Sequence, residues 1–416
     1  MSILIKGALL NNRESDIYID GNIISEINDR INTEADYKIA GKNKAAIPSF
    51  VNGHTHAAMT LLRGYAEDME LMPWLQEKIW PAEAKMREED IYWGAKLACI
   101  EMIKTGTTMF FDMYHYPLGT SRATKEMGTR SIVTEVFFDK FEKDWNARKK
   151  ILIDNIAGIK ELNSPLVNPG LGPHAIYTMT EEGLLWTKEF ADKNNLKIHF
   201  HLSESKGEVE DCITLHGMRP VEYLEKIGFL SDRLVVAHAV WLSDKELDIL
   251  AKRKVSLVHN PVSNMKLSVG NVFRFEDAKK RKIKMALGTD GSSSNNSLDM
   301  FEDMKIAGLL QKHHNNPTHM SAKDVFDMAT KHGAEVFGLN SGEIKEGKLA
   351  DLLLLDMKHH LLIPNHNLIS NIVYSANGSC VDTTICNGKV LMENRIVEGE
   401  DDIIYNFSRH AEKLVK

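Results

Sequence analysis

The chain has 416 residues, 43% of them hydrophobic, and a formal net charge of −7 at pH 7. This length and hydrophobic content are sufficient for a large buried core. The net negative charge argues against a nucleic-acid-binding protein, and basic stretches such as 278–284 are short. No apolar run approaches the ~18 residues of a membrane-spanning helix. The first residues lack the pattern of a signal peptide and the four cysteines are scattered, so we expect a cytoplasmic protein with reduced thiols.

Both ends of the chain have the alternating or apolar patterns that are typical of β-strands. These patterns fall at residues 3–10, 17–28, 350–356 and 382–397. The last segment has the pattern of a hairpin that turns at Asn387-Gly388. Because two β-rich ends flank a long middle of different character, we predict a small β-sandwich domain formed by residues 1–45 and 350–416.

The middle of the chain, residues 46–349, alternates between short apolar runs and amphipathic helical patterns. The apolar runs fall at residues 45–51, 107–112, 130–138, 169–174, 196–201, 233–239, 254–260 and 284–290. The clearest helical patterns cover residues 88–106, 243–254 and 321–339. Eight strands alternating with helices predict an α/β fold, a (β/α)8 TIM barrel. An open doubly wound sheet is the alternative, but a dinucleotide-binding version is disfavoured because no G-x-G-x-x-G motif follows the first strands.

Residues 57–87 form a long insertion after the first barrel strand. Loops that follow barrel strands lie at the carboxyl ends of the strands, where the active sites of such barrels are found. Long loops in a compact domain are often functional lids. We therefore expect this segment to cover an active site.

Side chains that can bind a metal or transfer a proton stand where these apolar runs end. They are His54, His56, His174, His201, Glu204, His238 and Asp290. In an extended strand, residues i and i+2 face the same side, so His54 and His56 can bind one ion. A single histidine at a strand end is more often a hydrogen-bonded structural residue. The whole set favours a shared metal site.

Within this set, His54, His56, His201 and Asp290 supply the three or more nitrogen and oxygen ligands of a mononuclear catalytic metal site. These donors suit Zn²⁺, with Fe²⁺ or a similar divalent ion as the alternative. Such an ion makes hydroxide available at neutral pH, and Asp290 can accept the proton that the water loses.

Two further residues are candidates for proton transfer. Glu204 can act as a general acid, although a carboxylate at the start of a helix explains its position equally well. His238 is either a buried core residue or a second proton carrier. The other histidines, His199 and His259 among them, are predicted to be structural or surface residues.

The sequence resembles the amidohydrolase superfamily, in particular its 5′-methylthioadenosine/S-adenosylhomocysteine deaminase branch. The matching segments are NGHTHAAMTLLRG, MPWLQEKIWPAE, GLGPHAIYT, HFHLSES, VVAHAVWL, VHNPVSNMKL, GTDGSSSNNSLDMFEDMK and GEIKEGKLADLLLLD. They lie between residues 45 and 356. The resemblance implies a metal-dependent hydrolase that replaces the amino group at C6 of an adenosine-type nucleoside and releases ammonia.

The resemblance also implies catalytic roles. One divalent ion would be bound by His54, His56, His201 and Asp290. Glu204 would protonate N1 of the adenine ring, while His238 and Asp290 would activate the hydroxide that attacks C6. Relatives with two metal ions carry a lysine at the position of His174, so its absence here favours a single ion.

Three more residues match positions that line the nucleoside pocket in this branch. They are Trp74, Glu83 and His174. Glu83 would bind the ribose hydroxyls, and His174 would contact the nucleoside near the ribose and the purine. Taken alone, Trp74 is more often a core residue at such a position, but its place in the long insertion favours a role in the site.

One departure concerns the arginine pair that binds the amino-acid carboxylate of S-adenosylhomocysteine in this branch. Glu135 stands at the position of the first arginine, while Arg148 matches the second after a shift of one residue. A carboxylate repels another carboxylate, whereas arginine pairs with it. We therefore expect 5′-methylthioadenosine, 5′-deoxyadenosine or adenosine to be preferred over S-adenosylhomocysteine.

Alternatives on the same metal site are an s-triazine or guanine aminohydrolase or chlorohydrolase, and a non-catalytic metal-binding barrel. The cytidine-deaminase type is excluded because its H-x-E and P-C-x-x-C motifs are absent. The expected partner is a small-molecule nucleoside, with no nucleic acid and no membrane. A second copy of the chain, in a homo-oligomer, is a further expected partner.

Overall fold

The computed structural model describes residues 1–414, in which five strands at the beginning and three strands before the last helix flank a middle of alternating strands and helices. The strands are β1 (Ser2–Leu10), β2 (Arg13–Asp20), β3 (Ile23–Asn28), β4 (Tyr37–Ala40), β5 (Lys44–Pro48), β6 (Phe50–Thr55), β7 (Thr107–Tyr114), β8 (Arg130–Phe137), β9 (Val167–Pro169), β10 (Gly172–Pro173), β11 (Ile198–Leu202), β12 (Leu234–His238), β13 (Ser256–His259), β14 (Met285–Leu287), β15 (Leu352–Asp356), β16 (Val381–Cys386) and β17 (Lys389–Met392).

The helices are α1 (Leu71–Pro73), α2 (Trp80–Glu83), α3 (Glu88–Thr105), α4 (Pro117–Met127), α5 (Trp145–Glu161), α6 (Glu181–Asn194), α7 (Lys206–His216), α8 (Pro220–Lys226), α9 (Asp244–Arg253), α10 (Pro261–Lys266), α11 (Phe275–Lys280), α12 (Met300–His314), α13 (Ala322–Ala329), α14 (Lys331–Phe337), α15 (Leu368–Tyr374) and α16 (Glu400–Leu414). A π-helical stretch, Trp74–Ile79, joins α1 to α2. Short 3-10 turns cover Ala57–Leu62, Asp139–Phe141, His360–Leu362 and Gly378–Cys380.

The two ends of the chain meet in one eight-stranded sheet, in the order β17-β16-β15-β5-β1-β2-β3 with β4 beside β1. The joint between the two ends is the antiparallel pair of β15 and β5. The predicted hairpin is confirmed by the pairing of β16 with β17. Its turn residues, Asn387 and Gly388, both have positive φ angles, 51° and 71°, as a two-residue turn matched to the strand twist requires.

The strands of the middle segment form two parallel sheets. β6, β7 and β8 pair in order, with β9 and β10 both beside β8. β11, β12, β13 and β14 form the second sheet. These strands are buried almost throughout, which explains their near-continuous apolar runs. Helices follow the strands, as the alternating pattern predicts.

Backbone contacts connect these two sheets at both edges. On one edge, isolated parallel bridges join Leu171 to Ile198 and Ala175 to His201. On the other, the Asp290 amide donates to the His54 carbonyl at 3.0 Å. Gly288 makes this second approach close, because a Cβ atom there would lie 2.8 Å from the His54 nitrogen.

Two of the three predicted helices are confirmed as single helices. α3 ends before Gly106, and α9 begins after Ser243, whose side chain forms a capping box with Glu246. The single helix predicted over 321–339 is wrong, because the chain breaks into α13 and α14 at Thr330. The Thr330 hydroxyl donates to the Phe326 carbonyl at 2.7 Å, and a new helix then starts.

The insertion at residues 57–87 folds into short helical turns with a small apolar core of its own. That core includes Leu61, Leu75 and Ile79, and Leu414 of α16 belongs to it as well. The segment carries Trp74 and Glu83 to the carboxyl ends of the strands. Within residues 1–414, no helix is both long and apolar enough to cross a membrane. All four cysteines are buried free thiols, as expected.

Candidate active site

Three polar side chains from two strand ends meet at the centre of the site. His54 and His56 stand at the end of β6, and Asp290 follows β14. Asp290 Oδ1 lies 3.2 Å from the Nε2 atoms of both His54 and His56. The positive φ of Asp290, 61°, is a strained conformation for a residue with a side chain and is typical of functional sites. The predicted i and i+2 geometry of the two histidines is thus present.

A chain of hydrogen bonds fixes the tautomer of His54. The ring of His199 bonds through Nδ1 to the Val235 carbonyl at 3.1 Å, which requires a proton on Nδ1 and leaves Nε2 as an acceptor. His54 Nδ1 lies 2.7 Å from that Nε2 and therefore donates to it. The free Nε2 lone pair of His54 points into the site, buried and without a hydrogen bond.

The other two histidines of the predicted set are oriented in the same way. His56 Nδ1 donates to the Met113 carbonyl, and His201 Nδ1 donates to the His174 carbonyl at 2.8 Å. Backbone carbonyls at Nδ1 are a common arrangement behind metal-binding histidines, since they leave Nε2 for the ion. All three imidazoles therefore present the same nitrogen to the site.

Electrostatics favours neutral imidazoles at two of these positions. Burial lowers the pKa of His54 to about 4 and holds that of His201 well below its usual range. Burial would also lower the pKa of His56, but the neighbouring Asp290 outweighs it and raises that pKa to about 9. Binding of a metal at His56 would therefore release a proton.

Asp290 is held as a carboxylate. Although burial opposes ionisation, the adjacent protonated imidazole of His56 keeps its pKa well below the usual range. The hydroxyls of Ser263 and Ser294 donate to Oδ2 at 2.6 and 3.1 Å. One oxygen is thus bound by hydroxyls, while Oδ1 faces the histidines.

His238 and Glu204 lie beside this cluster. His238 Nδ1 is 2.8 Å from Asn264 Oδ1 and 3.3 Å from Asn260 Nδ2; a proton on Nδ1 satisfies the shorter contact and leaves Nε2 to accept a proton. Glu204 Oε1 is 3.7 Å from the same ring. Burial raises the pKa of Glu204, which favours the protonated acid. Glu208 accepts from the Ser203 and Glu204 amides at 2.7 and 2.8 Å and holds the backbone at Glu204 in place.

A cavity with about 590 Å³ of empty space, here called the inner cavity, opens above the cluster. Its walls include the predicted residues Trp74, Glu83, His174, His201, Glu204, His238 and Asp290. Trp74 and His174 are almost fully buried, and burial lowers the pKa of His174 to about 3. The structure therefore places the predicted proton carriers, metal donors and pocket residues around one space.

Arg148 lies outside the inner cavity. It lines a second space, here called the outer cavity, where its Nη1 is 2.9 Å from Glu135 Oε1. Its Nε is 3.3 Å from Glu142 Oε1. Glu135 and Arg148, which match the arginine pair that binds a carboxylate in the family, therefore form a salt bridge with each other.

Several residues that shape the site were not singled out from the sequence. His199 was predicted to be an unrelated structural residue, but it fixes the ring of His54. Asn264, Ser263 and Glu208 act through hydrogen bonds that depend on tertiary contacts, so residue type and spacing gave no signal. His115, 3.6 Å from Glu83, also lines both cavities.

The donor atoms are close enough for a shared ion. Two overlapping sets, His54 with His201 and His238, and His54 with His56 and Asp290, each have their ligand atoms within 4.8 Å of one another. The orphaned His54 Nε2 and the nitrogen and carboxylate donors fit a divalent cation such as Zn²⁺.

A parallel sheet framework with a histidine and aspartate cluster at the strand ends is the plan of a metal-dependent hydrolase, and the chain belongs to the amidohydrolase family, whose model matches residues 45–391. It is 47% identical to the 5-methylthioadenosine/S-adenosylhomocysteine deaminase 1 of Archaeoglobus fulgidus, over 94% of this chain and 92% of that protein. It is 44% identical to the 5'-deoxyadenosine deaminase of Methanospirillum hungatei, over 100% of this chain and 94% of that protein.

A solved structure is similar over nearly the whole chain. It is an adenosine deaminase from Xanthomonas campestris with bound zinc, with a TM-score of 0.92 and 30% sequence identity. The match covers 99% of this chain and 98% of that one. The family's TIM-barrel type of fold is thus shared.

Proposed function

We propose that this protein is a hydrolytic deaminase that converts an adenosine-type nucleoside to the corresponding inosine analogue and ammonia. The observation that carries the proposal is the inner cavity, where the metal donors, the buried acid Glu204 and the carboxylate Glu83 face one space. The deaminase relatives at 44% and 47% identity support the same reaction.

His54, His56, His201 and Asp290 would hold one divalent ion. The orphaned Nε2 of His54 supports this set, because a buried polar atom without a partner needs one. When bound there, an ion such as Zn²⁺ would supply the Lewis acidity that makes water a nucleophile near neutral pH.

The chain's own residues would move the protons. Glu204, whose pKa is raised by burial, would give a proton to N1 of the adenine, which makes C6 more electrophilic. His238, with Nε2 free to accept, and Asp290 would take the proton of the attacking water. That proton would pass to the amino group, the bond between C6 and the amino nitrogen would break to release ammonia, and the C6 hydroxyl would give its proton back to Glu204 as the C6 carbonyl forms.

Glu83, His174 and Trp74 would position the nucleoside. Glu83 is 9% exposed and its carboxylate can accept hydrogen bonds from both ribose hydroxyls. The neutral ring of His174 lies 4.8 Å from the His201 ring and would contact the nucleoside where ribose and purine join. Trp74 would provide an apolar wall for the purine.

The salt bridge of Arg148 with Glu135 supports a preference for neutral 5′ substituents over S-adenosylhomocysteine. A guanidinium that is already paired with two carboxylates gains little from a third. We expect 5′-methylthioadenosine, 5′-deoxyadenosine and adenosine to be better substrates.

The test is turnover of a substrate panel by purified zinc-loaded protein, followed by the ultraviolet change on purine deamination. The panel contains adenosine, 5′-methylthioadenosine, 5′-deoxyadenosine, S-adenosylhomocysteine and guanine. Deamination of the nucleosides is expected, with S-adenosylhomocysteine slowest. Turnover of guanine alone would contradict the proposal, and equal turnover of S-adenosylhomocysteine would contradict the 5′ preference.

The His201→Ala variant tests the metal set. We expect it to lose bound zinc, measured by elemental analysis, together with turnover. Full activity with no bound zinc would remove His201 from the proposed ligands. Lys206→Ala, a change at an exposed residue of α7, is the control for zinc or activity lost during purification.

We also propose that the two parallel sheets close into one (β/α)8 barrel over residues 46–349. The bridges from Leu171 and Ala175 and the hydrogen bond from Asp290 support this closure. The small β-sandwich domain predicted for residues 1–45 and 350–416, of which 415 and 416 lie outside the described residues, is supported by a core shared between β1, β2, β5, β15 and β16. The homo-oligomer stays a prediction.

A further inference from the structure

The outer cavity continues the inner one away from the metal donors. It holds about 1490 Å³ of space that opens to solvent. Four residues line both spaces: Trp80, Glu83, His115 and Phe138. The two cavities therefore adjoin along these four residues.

The orientation of a substrate relative to the two cavities follows from the proposed function. A nucleoside with C6 at the metal donors and its ribose at Glu83 points its 5′ carbon away from the metal donors. The outer cavity is the space on that side of Glu83. Groups attached to the 5′ carbon would therefore lie in it.

The lining of the outer cavity is negative. Its carboxylates are those of Glu83, Glu88, Glu135 and Glu142. Arg148 is the one Lys or Arg among the lining residues in the part of the chain that the structure describes. Glu142 is 33% exposed and shares Arg148 with Glu135, whereas Glu88 is 44% exposed and is paired with Arg122, whose Nη2 lies 3.1 Å away.

Arg148 does not offset this charge for a ligand. Its Nη1 pairs with Glu135, its Nε faces Glu142, and its Nη2 donates to the Val136 carbonyl at 3.0 Å. Only 16% of its side chain is exposed. Because one guanidinium is shared by the carboxylates of Glu135 and Glu142, this pair of glutamates keeps a net negative charge, which would repel a ligand carboxylate.

Aromatic rings form much of the remaining wall. Trp80, Tyr116, Phe138 and Phe141 all line the cavity, and Phe141 is 65% exposed. Aromatic faces attract cations through the ring quadrupole, and nearby carboxylates add to that attraction. A wall of rings and carboxylates therefore suits an ammonium group carried on an apolar chain.

We propose that the outer cavity is a subsite for a positively charged 5′ substituent, namely a primary ammonium at the end of a short chain attached to the 5′ carbon. This inference rests on the proposed function. It adds a substrate class: adenosine 5′-thioethers that end in an amine, which this deaminase would prefer over those that end in a carboxylate.

The test compares three 5′-thioethers of adenosine with chains of similar length, namely propyl, 3-aminopropyl and 2-carboxyethyl. We expect kcat/KM to be about threefold to fivefold higher for the amine than for the propyl compound, the size of a partly exposed ion pair. The carboxylate should fall below the propyl compound. These differences should shrink as salt is raised, because exposed charges are screened.

Variants identify the carboxylates that act. Glu142→Gln should lower the ratio of kcat/KM for the amine to that for the propyl compound, and Glu142→Lys should reverse the preference towards the carboxylate. Glu135→Gln should free Arg148 and raise kcat/KM for the carboxylate compound. The control is Glu34→Gln, at a 90% exposed glutamate in the loop before β4 that is paired with Lys38; this change should leave all ratios unchanged.

Failure of the subsite differs from failure of the proposed function. If the propyl and 5′-methylthio compounds are deaminated but charge at the chain end has no effect, the subsite is overturned and the deaminase proposal stands. If no compound is deaminated, the deaminase proposal is overturned. In that case the subsite is tested by measuring the affinities of the same three thioethers by calorimetry. Equal affinities for the amine and the carboxylate compound would overturn the subsite as well.

Discussion

At the residue scale, the orientation of the candidate metal ligands depends on groups one contact further away. His199 fixes the proton of His54 on Nδ1, and backbone carbonyls do the same for His56 and His201. Asn264 sets the tautomer of His238. Each ring thus presents Nε2 without rearrangement, which lowers the cost of binding an ion or a proton there.

Replacing His199 by leucine should weaken zinc binding about 10- to 100-fold, the usual cost of losing such a supporting partner. The His54 ring would lose the acceptor that orients it. A competition titration against a chromogenic zinc chelator measures the effect, and excess zinc should restore much of the activity. His259→Leu is the matched control, a buried strand-end histidine whose ring nitrogens have no hydrogen-bond partner among the described residues. Equal zinc affinity in both variants would contradict the role of His199.

The Glu204→Gln variant should keep its zinc but lose turnover by about 10²- to 10⁴-fold, the range for a general acid. Glutamine has the same shape and cannot protonate the ring nitrogen. Kinetics on 5′-methylthioadenosine and elemental analysis of the same sample separate the two effects. Loss of zinc along with activity would show that Glu204 has a structural role instead.

Sequence reasoning found the side chains that stand at strand ends, because a strand end fixes both their position and their direction. His54, His56, His201, Glu204, His238 and Asp290 all follow that rule. It could not find His199 or Asn264, since their roles come from contacts across strands and loops. For His199 a second H-x-H spacing was visible, but nothing in it distinguished a ligand from the partner of a ligand.

At the element scale, the turn between β11 and α7 depends on a buried carboxyl. Burial raises the pKa of Glu208 from 4.5 to about 8, although the amides of Ser203 and Glu204 oppose that shift. The folded state therefore retains a proton that the unfolded chain releases near pH 4.5. The resulting contribution to stability is complete below that pH and is lost as pH rises to about 8.

We expect Glu208→Gln to remove this pH dependence. Relative to the variant, the wild-type free energy of unfolding should fall between pH 5 and pH 8, by at most about 1.4 kcal/mol per pH unit. Urea unfolding of both proteins at several pH values measures it. Glu210→Gln, at an exposed position in the same helix, is the control. Parallel curves for wild type and Glu208→Gln would contradict the prediction.

Helix caps and strand patterns placed most elements, and the exceptions have physical causes. The pattern over 321–339 is amphipathic throughout, so it did not reveal the break at Thr330. Gly333 in the second helix approaches the Val51 side chain so closely that a Cβ atom would lie 2.9 Å away. Packing against β6 therefore sets the direction of α14, which local propensity cannot encode.

At the scale of the whole molecule, the candidate ligands come from both parallel sheets. His54 and His56 belong to the sheet of β6, while His201 and Asp290 belong to the sheet of β11 and β14. An ion bound by all four would connect the two sheets. Because it binds the folded state alone, it would stabilise that state as its concentration rises.

Removal of the metal with a chelator should therefore lower the midpoint of thermal unfolding, and added zinc should raise it again. At a free zinc concentration 100 times the dissociation constant, the stabilisation is about 2.7 kcal/mol. Differential scanning calorimetry of wild type and His201→Ala tests this, with no response to zinc expected in the variant. A wild-type midpoint that is independent of zinc would contradict it.

The fold class was predictable because eight apolar runs separated by helical patterns allow few arrangements. The pairing of the terminal strands could not be predicted, since nothing in the sequences of β5 and β15 indicates that they pair with each other. Their register, with Ile47 opposite Leu353, follows from burial in a sheet that the two ends complete together.

This pairing has a consequence for synthesis on the ribosome. β5 ends at Pro48 and its neighbour β15 begins at Leu352, so about 300 residues must be added before β5 is covered. At roughly 5–20 residues per second, its hydrogen-bonding edge stays open for about 15–60 s. During that interval the nascent chain presents an unpaired strand edge that can associate with other chains. Early termination anywhere before β15 would leave that edge permanently open.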